Sequence, residues 1–113
     1  MKYKVAIADD HLLIARAISS IVDGFSNFAM LYEAENGKVL QERIEQSKQL
    51  PDIVLLDISM PVMDGFEATK QIRILEQQSN TPQTPIVALT AHAFEEIKKQ
   101  CIDAGMYEYL SKP

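Results

Sequence analysis

Ile53-Val54-Leu55-Leu56-Asp57 is a short apolar run that ends in a carboxylate. Four consecutive aliphatic residues without polar alternation are typical of a strand buried on both faces, as in a parallel sheet. In open parallel α/β sheets, ligands bind at the carboxyl edge of the strands, which is where Asp57 would lie. This stretch therefore predicts both the class of fold and the edge of the sheet that carries the chemistry.

Three further segments end in the same way, with a polar residue directly after an apolar or aromatic run. They are Val5-Ala6-Ile7-Ala8 before Asp9-Asp10, Pro85-Ile86-Val87-Ala88-Leu89 before Thr90, and Tyr107-Glu108-Tyr109-Leu110 before Ser111-Lys112-Pro113. The carboxyl ends of parallel strands meet at one edge, so three carboxylates, one hydroxyl and one lysine would converge there. That combination suits a divalent cation and a phosphoryl group.

Strand patterns alternate with helical patterns along the whole chain. The order βαβαβαβαβ predicts an α/β fold with a doubly wound, parallel, five-stranded sheet and helices on both faces. One domain would span residues 1–113, and the lack of a final helix after the fifth strand predicts a chain truncated at its C-terminus. Strands are predicted over about residues 3–8, 28–33, 53–57, 85–90 and 107–110.

Local signals mark the ends of several helices. Gly24 follows the first helical pattern, where a left-handed cap is expected, and Asp64 is a predicted N-cap. Gly105 ends the last helical pattern. The polar segment 76–84, which contains Pro82, is predicted to be a loop within the domain rather than a linker.

The composition argues against several classes of function. The 113 residues suffice for one ordinary domain. The net charge is −5 and no stripe of Lys or Arg is present, so direct binding to nucleic acid or to an anionic membrane is a poor hypothesis. No apolar run approaches the roughly 20 residues of a membrane span. The single cysteine, Cys101, lies on an apolar helical face, which indicates an inert core residue and a reducing, cytoplasmic location.

The aspartates after the first strand have two competing interpretations. Asp9 and Asp10 could stabilise the start of the next helix, whose first turn favours negative charge. Together with Asp57 they would instead form a cluster of three carboxylates that repel one another without a cation, and such hard oxygen ligands suit Mg²⁺. The loop after the first strand has no glycine-rich turn, which argues against a P-loop or a dinucleotide site.

Four other polar residues have open interpretations. Thr90 is either a plain strand-end residue or a hydrogen-bond donor to a phosphoryl oxygen. Lys112 is either a solvated surface lysine or a counter-charge for carboxylate and phosphate. His11 and His92 are not at metal-ligand spacing, although His92 could overhang the site and influence the access of water.

Together these residues resemble the receiver domain of two-component response regulators. Each motif alone is weak, whereas all of them in this order and at these intervals, over essentially the whole chain, are highly specific. The resemblance implies a flavodoxin-like fold and a two-component signalling function. The motifs are Asp9-Asp10, Leu55-Leu56-Asp57-Ile58-Ser59-Met60-Pro61-Val62-Met63-Asp64-Gly65, Leu89-Thr90-Ala91, and Ala104-Gly105-Met106 through Lys112-Pro113.

The resemblance implies a phosphoacceptor and a metal site. Asp57 would be the phosphoacceptor, and Asp10 and Asp57 would ligate Mg²⁺ together with the backbone carbonyl of Ser59. Asp9 would contribute to the metal site directly or through water. Ser59 and His92 would be modulators of the reaction.

The resemblance also implies a conformational switch. Thr90 and Lys112 would contact the phosphoryl oxygens, and the ring of Tyr109 would turn inward when Thr90 moves toward the phosphate. The readout would be the surface of the fourth helix and fifth strand, residues 93–110. The Lys112–Pro113 peptide bond matches one that is usually cis in the family.

Several functional alternatives stay open beside the implied phosphoacceptor switch, whose phosphoryl donor would be a sensor histidine kinase or a histidine phosphotransfer protein. A small-molecule phosphatase with an aspartyl nucleophile would place a second aspartate two residues after Asp57, where this chain has Ser59. A receiver-like interaction module would act independently of phosphorylation. The output also stays open, because one part resembles regulators with a LuxR-type helix-turn-helix and another part resembles receivers of hybrid histidine kinases.

The predicted lack of a fifth helix has a further consequence. One face of the sheet would expose apolar surface, and such surface favours association. We therefore expect a dimer that buries this face between two copies.

Overall fold

The computed structural model describes residues 2–46, 49–91 and 95–111. In these ranges strands and helices alternate, as the sequence predicts. They are β1 (Tyr3–Ala8), α1 (Leu12–Asp23), β2 (Phe28–Ala34), α2 (Gly37–Gln46), β3 (Ile53–Asp57), α3 (Gly65–Ser79), β4 (Ile86–Thr90), α4 (Glu95–Ala104) and β5 (Glu108–Ser111). Every helix within these ranges is too short or too polar to span a bilayer.

The five strands form one parallel sheet in the order β2-β1-β3-β4-β5, which confirms the predicted doubly wound fold. The direction of winding reverses between β1 and β3, and ligands bind at the carboxyl ends of strands at such a point. The register pairs Ala8 with Leu56 and Asp57 with Leu89. Asp9, which follows Ala8, therefore lies level with Asp57, and Thr90 lies one residue further along β4.

The two faces of the sheet are covered unequally. Helices α2, α3 and α4 cover one face, where their buried residues, including Leu40, Ile72 and Cys101, pack with the strands in a single large cluster. On the other face α1 contributes Ala15 to a small buried cluster with Ile7 and Leu89. Most of the core of the described residues therefore lies on the side of α2, α3 and α4.

The predicted N-cap of α3 is confirmed, but the predicted loop over residues 76–84 is wrong in its first part. Asp64 Oδ1 accepts a hydrogen bond from the backbone N–H of Glu67 at 2.9 Å. Helix α3 continues to Ser79 and ends at Asn80, which has the left-handed conformation with φ 54°. The polarity of the segment was misleading because Glu76 is a buried structural residue.

Glu76 belongs to a hydrogen-bond network at the amino end of β4. Its carboxylate accepts from Arg73 Nη1 at 2.8 Å and from the backbone N–H of Thr84 at 2.7 Å. Arg73 also donates from Nη1 to the carbonyl of Thr84 at 2.9 Å and from Nη2 to the carbonyl of Gly105 at 2.7 Å. The network ties α3 to the loop before β4 and to the turn between α4 and β5.

The prediction of a left-handed cap at Gly24 is wrong. Gly24 has φ −72° and ψ −17°, which is the right-handed helical region. Its backbone N–H lies 3.1 Å from the carbonyls of both Ser20 and Ile21, so the last turn of α1 tightens instead of reversing. Gly105, in contrast, ends α4 as predicted, with φ 104°.

The loop between β3 and α3 contains a strained turn at Val62. Val62 has φ 70°, and the backbone N–H of Met63 donates to the carbonyl of Pro61 at 2.7 Å. A three-residue turn with positive φ at its centre is rare and strained, most of all for a β-branched residue. The backbone N–H of Gly37 donates to the carbonyl of Met63 at 3.1 Å and helps to hold the loop in place.

Replacing Val62 by glycine should stabilise the fold. Holding a non-glycine residue in such a conformation costs about 1–3 kcal/mol, whereas glycine loses about 0.5–1 kcal/mol through backbone entropy. We expect Val62→Gly to raise the free energy of unfolding by about 1 kcal/mol, measured by urea denaturation followed by circular dichroism. The matched control is Leu13→Gly, since Leu13 is as exposed as Val62 (84% against 83%) but lies in helix α1. This control should lower the free energy of unfolding, and the same sign for both variants would contradict the assignment of strain.

Candidate functional site

The carboxyl ends of β1 and β3 bring three aspartates and one histidine together. One carboxylate oxygen each from Asp9, Asp10 and Asp57 and one ring nitrogen of His11 all lie within 4.8 Å of one another. Asp9 and Asp57 are buried, at 3% and 2% exposure, whereas the side chain of Asp10 is 31% exposed. The site is therefore a cluster of negative charge that opens to solvent on the side of Asp10.

Backbone amides of the adjoining turns stabilise the two buried carboxylates. Asp9 Oδ1 accepts a hydrogen bond from the backbone N–H of His11 at 2.8 Å, and Asp57 Oδ1 accepts one from the backbone N–H of Ser59 at 3.1 Å. Asp9 thus holds the turn that precedes α1, but the first turn of α1 contains no acidic residue and its N-cap, His11, has no capping side-chain hydrogen bond. The hydrogen bond to Asp9 Oδ1 is compatible with a role of Asp9 in the acidic cluster, because ligand atoms of Asp9 and Asp57 lie within 4.8 Å of each other.

The ring of His11 lies in the cluster, although the spacing of the histidines in the sequence does not predict a metal ligand. His11 Nδ1 lies 3.1 Å from Asp9 Oδ1, 3.2 Å from Asp10 Oδ1 and 3.8 Å from Asp57 Oδ2. The ring is 58% exposed, so it lies over the open side of the cluster. The sequence signal for this contact is the position of His11 directly after the aspartate pair, at a turn that directs neighbouring side chains to the same point.

The strand next to β3 contributes Thr90. Thr90 is the last residue of β4 and is 4% exposed. The backbone N–H of Ile58 donates to the carbonyl of Leu89 at 3.3 Å, which continues the pairing of the two strands beyond Asp57. The buried hydroxyl of Thr90 therefore belongs to the same edge of the sheet as Asp57.

The other predicted residues of the site are Ser59, His92, Lys112 and Pro113. Ser59 is exposed and follows the phosphoacceptor candidate by two residues. His92, Lys112 and Pro113 lie outside the described residues, and so does the predicted cis peptide bond. Among the described residues, the predicted site at the carboxyl edge of the sheet consists of the three aspartates, Ser59 and Thr90.

Tyr109 lies in β5, away from the acidic cluster. Its register partner on β4 is Ala88, two residues before Thr90. The ring is half-buried and packs against the large cluster of the α2, α3 and α4 face, and Lys98 Nζ lies 4.9 Å from the ring centre. Tyr109 and Thr90 thus lie on neighbouring strands, which is the placement required for any coupling between them.

Cys101 is a core residue, as the sequence predicts. It is fully buried among the residues of α3, α4 and the sheet. Burial raises the pKa of its thiol above the usual value, because a thiolate would lose its hydration there. Since the thiolate is the reactive form, Cys101 is unsuited to nucleophilic chemistry.

The donor set of the cluster fits a magnesium ion. Carboxylate oxygens are the hard ligands that Mg²⁺ prefers, and one or two carboxylates with several waters and a phosphate complete its usual shell. Asp10 and the open side of the cluster leave room for such a shell. A buried carboxylate beside a divalent cation and a hydroxyl is an arrangement that can accept a phosphoryl group.

Comparison with known sequences places the chain in a family. Residues 5–113 match the family model described as the response regulator receiver domain. The chain is 37% identical over 109 residues to the hybrid signal transduction histidine kinase M of Dictyostelium discoideum. It is 35% identical over 109 residues to the transcriptional regulatory protein YdfI of Bacillus subtilis. Each alignment covers 96% of this chain, but only 4% and 47% of the respective relative, so the chain spans less than half of either.

Solved structures agree with the sequence comparison. One is the co-crystal structure of the Saccharomyces cerevisiae histidine phosphotransfer protein Ypd1 with the receiver domain of Ssk1. It aligns with a TM-score of 0.84 at 28% identity, over 99% of this chain and 79% of that chain. Vibrio cholerae chemotaxis protein CheY4 aligns with a TM-score of 0.83 at 27% identity, over 100% of this chain and 88% of that chain. With its parallel sheet and its aspartate cluster at the carboxyl edge, this chain belongs to the response regulator receiver domains of two-component signalling systems.

Proposed function

We propose that this chain is a phosphoacceptor switch of a phosphorelay, in which Asp57 receives the phosphoryl group from a phosphohistidine. The observation that carries the proposal is the position of Asp57. It is a buried carboxylate at the carboxyl end of the central strand β3, and one of its oxygens lies within 4.8 Å of ligand atoms of Asp9 and Asp10. Membership of the receiver family supports the same role.

The proposed metal ion is Mg²⁺, held by Asp10, Asp57 and the backbone carbonyl of Ser59, with Asp9 as a direct or water-mediated ligand. When bound, the ion would neutralise charge on the equatorial oxygens of the transferred group. Asp9 and Asp10 then have the role of fixing positive charge next to Asp57. The ring of His11, which lies over the open side of the cluster, would have to share or leave this space.

In the proposed reaction one carboxylate oxygen of Asp57 attacks phosphorus in line with the leaving group. An oxygen–phosphorus bond forms, the phosphorus–nitrogen bond to the donor imidazole breaks, and the imidazole keeps the electron pair and takes up a proton from solvent. Thr90 would donate a hydrogen bond from its hydroxyl to a phosphoryl oxygen, and Lys112 would add positive charge. Hydrolysis of the aspartyl phosphate by water would reset the switch, so the chain would catalyse its own phosphorylation and dephosphorylation.

The proposed partner is a sensor histidine kinase or a histidine phosphotransfer protein. Three exposed apolar side chains lie in the segments that follow β1 and β3, at 63%, 84% and 83% exposure, and are available for contact with such a partner. They are Leu12, Leu13 and Val62. A receiver domain of similar structure is bound to the phosphotransfer protein Ypd1 in a co-crystal structure. The buried thiol of Cys101 agrees with a reducing cytoplasm as the place of the reaction.

We propose that the phosphoryl group changes the surface formed by α4 and β5. A new charge at the edge of the sheet would draw the hydroxyl of Thr90 toward it, and Tyr109 would follow into the space that is vacated. Support comes from the neighbouring strands that carry these two residues and from the half-buried position of the Tyr109 ring. Such a local electrostatic event can shift a two-state element.

Two alternatives lead to different results in one experiment. A phosphatase would turn over small phosphate esters continuously, but the residue two positions after Asp57 is Ser59 and not an acid. An interaction module independent of phosphorylation would accept no phosphoryl group at all. Labelling of Asp57 separates these possibilities.

Incubation with acetyl phosphate should add one phosphoryl group to the chain only when Mg²⁺ is present. Intact-mass spectrometry would detect the adduct, and Asp57→Asn should abolish it because amide nitrogen is not a nucleophile. The matched control is Asp103→Asn, an exposed aspartate on α4 that should leave labelling unchanged. A folded, unlabelled wild-type protein would favour the interaction module, and continuous release of phosphate from many esters would favour the phosphatase.

Thr90→Ala should keep the phosphorylation but weaken its effect on Tyr109. A hydrogen bond to a charged group contributes about 1.5–3 kcal/mol, so its loss should lower the population of moved Tyr109 about tenfold or more. Tyrosine ring signals in NMR spectra of the phosphorylated proteins measure this population. Identical Tyr109 signals in phosphorylated wild type and variant would count against the coupling.

We also propose that two copies associate through the less covered face of the sheet. Leu110 is 51% exposed and pairs in register with Leu89 of the small α1-side cluster. Sedimentation over a range of concentrations should give the mass of a dimer, and Leu110→Lys should shift it to the monomer. Ile102→Lys is the control, since Ile102 is 54% exposed but lies on α4. A well-folded wild type that stays monomeric at high concentration would overturn this proposal.

A further inference from the structure

A lysine side chain of α4 is held against the ring of Tyr109 on β5. Lys98 Nζ lies 4.9 Å from the centre of the Tyr109 ring, within the range of a cation–π interaction. The same ammonium group lies 3.4 Å from Glu95 Oε1, one turn earlier on the helix. The side chain of Lys98 is 30% exposed, whereas that of Glu95 is 91% exposed. Lys98 therefore extends along the protein surface toward Tyr109 and not into solvent.

The surroundings of Lys98 favour its charged form. The Tyr109 side chain is the largest influence that raises the pKa of Lys98 above its usual value, desolvation opposes it, and Glu95 adds a smaller contribution that also raises it. The charged form of Lys98 is thus the one that suits its surroundings. The contact of the ammonium group with the ring, 4.9 Å from its centre, thus favours the observed place of the ring.

We propose that Lys98 is a positioning residue that holds the Tyr109 ring in the place observed here and thereby sets the balance between its two positions. The inference rests on the proposed function, since it concerns the Tyr109 movement that follows phosphorylation. Lys98 and Tyr109 belong to different elements, so the contact also links α4 to the edge strand of the sheet. In this proposal the contact with Lys98 belongs to the observed position of the ring and is lost when the ring moves toward Thr90.

The size of the effect follows from the nature of the contact. A ligand or contact shifts a two-state equilibrium only by its differential interaction with the two states. If Lys98 contacts only the observed position, its removal should raise the population of moved Tyr109 in the unphosphorylated protein about fivefold, as expected for a partly exposed cation–π pair. The phosphoryl group would then need to supply less of the free energy that moves the Tyr109 ring.

The test is the Tyr109 ring signal in NMR spectra of the whole chain labelled with fluorotyrosine. The chain has four tyrosines, so Tyr3, Tyr32 and Tyr107 serve as internal references and Tyr109→Phe assigns the fourth signal. Lys98→Met keeps the aliphatic stem and removes the charge. Lys98→Arg keeps a cation that can lie over the ring, and Lys99→Met removes an exposed charge from the neighbouring position of α4.

In unphosphorylated Lys98→Met, the Tyr109 signal should move toward its position in wild type treated with acetyl phosphate and Mg²⁺. Lys98→Arg should restore the wild-type signal, and Lys99→Met should leave it unchanged. A Tyr109 signal that is the same in Lys98→Met and wild type, with the reference signals in place, would overturn the role of Lys98. Lys98→Gln is assessed by the same criterion if Lys98→Met does not fold.

The outcomes for the two proposals are distinguishable. Failure of Asp57 to become labelled contradicts the proposed phosphoacceptor function, whatever the Tyr109 signal does. An unmoved Tyr109 signal in a Lys98 variant whose Asp57 is labelled normally contradicts only the role of Lys98. A shift of equal size in Lys98→Met and Lys99→Met would also contradict it, because the effect would then be one of net charge.

Discussion

The close burial of two carboxylates at the carboxyl edge of the sheet is the constraint on which the rest of the structure depends. Asp9 and Asp57 are both almost fully buried, and the register of β1 with β3 sets them level on neighbouring strands. Buried negative charges are costly unless hydrogen-bond donors or cations surround them. The backbone N–H groups of His11 and Ser59 supply such donors, each from two residues further along the chain. Both strands must therefore turn sharply directly after their aspartate, and Gly65 allows the returning chain after β3 to pass close to the carbonyl of Asp57, where a Cβ atom would lie 2.6 Å away.

Most of the fold could be predicted from the sequence because local and global signals agree. The strands β3 and β4 are uninterrupted apolar runs that end in a polar residue, and Asp64 marks the start of α3 in both sequence and structure. The end of α3 could not be predicted, since the polarity of Glu76 is typical of a loop and only the contacts with Arg73 and Thr84 explain a buried carboxylate there. The prediction of a left-handed cap at Gly24 was wrong because it rested on the residue type alone. Glycine permits a left-handed conformation but does not require it.

In the site, too, the arrangement of the strands could be predicted from the sequence, whereas the contacts of single side chains could not. The convergence of the aspartates follows from strand parallelism, which is a property of the whole sheet and is visible in the pattern of the chain. The position of His11 over the cluster depends on the geometry of one turn, and a rule about the spacing of metal ligands does not describe it. The contact between Lys98 and Tyr109 depends on how α4 lies against β5, and residues 11 positions apart in different elements give no periodic signal.

Two different kinds of interaction hold β4 and β5, one at their amino ends and one at Tyr109, and this difference bears on where a conformational change can occur. At the amino end, the Arg73 guanidinium donates to the carbonyls of Thr84 and Gly105 in a partly buried network, with its charge compensated by a neighbouring carboxylate. Removing one partner of such a network is costly, so this end of the strands resists rearrangement. Tyr109, the second residue of β5, has a half-buried ring and a partly exposed cationic partner, so this contact holds less firmly than the Arg73 network. If Asp57 is phosphorylated as proposed, we therefore expect Tyr109 to change position more readily than the Arg73 network at the amino ends of these strands.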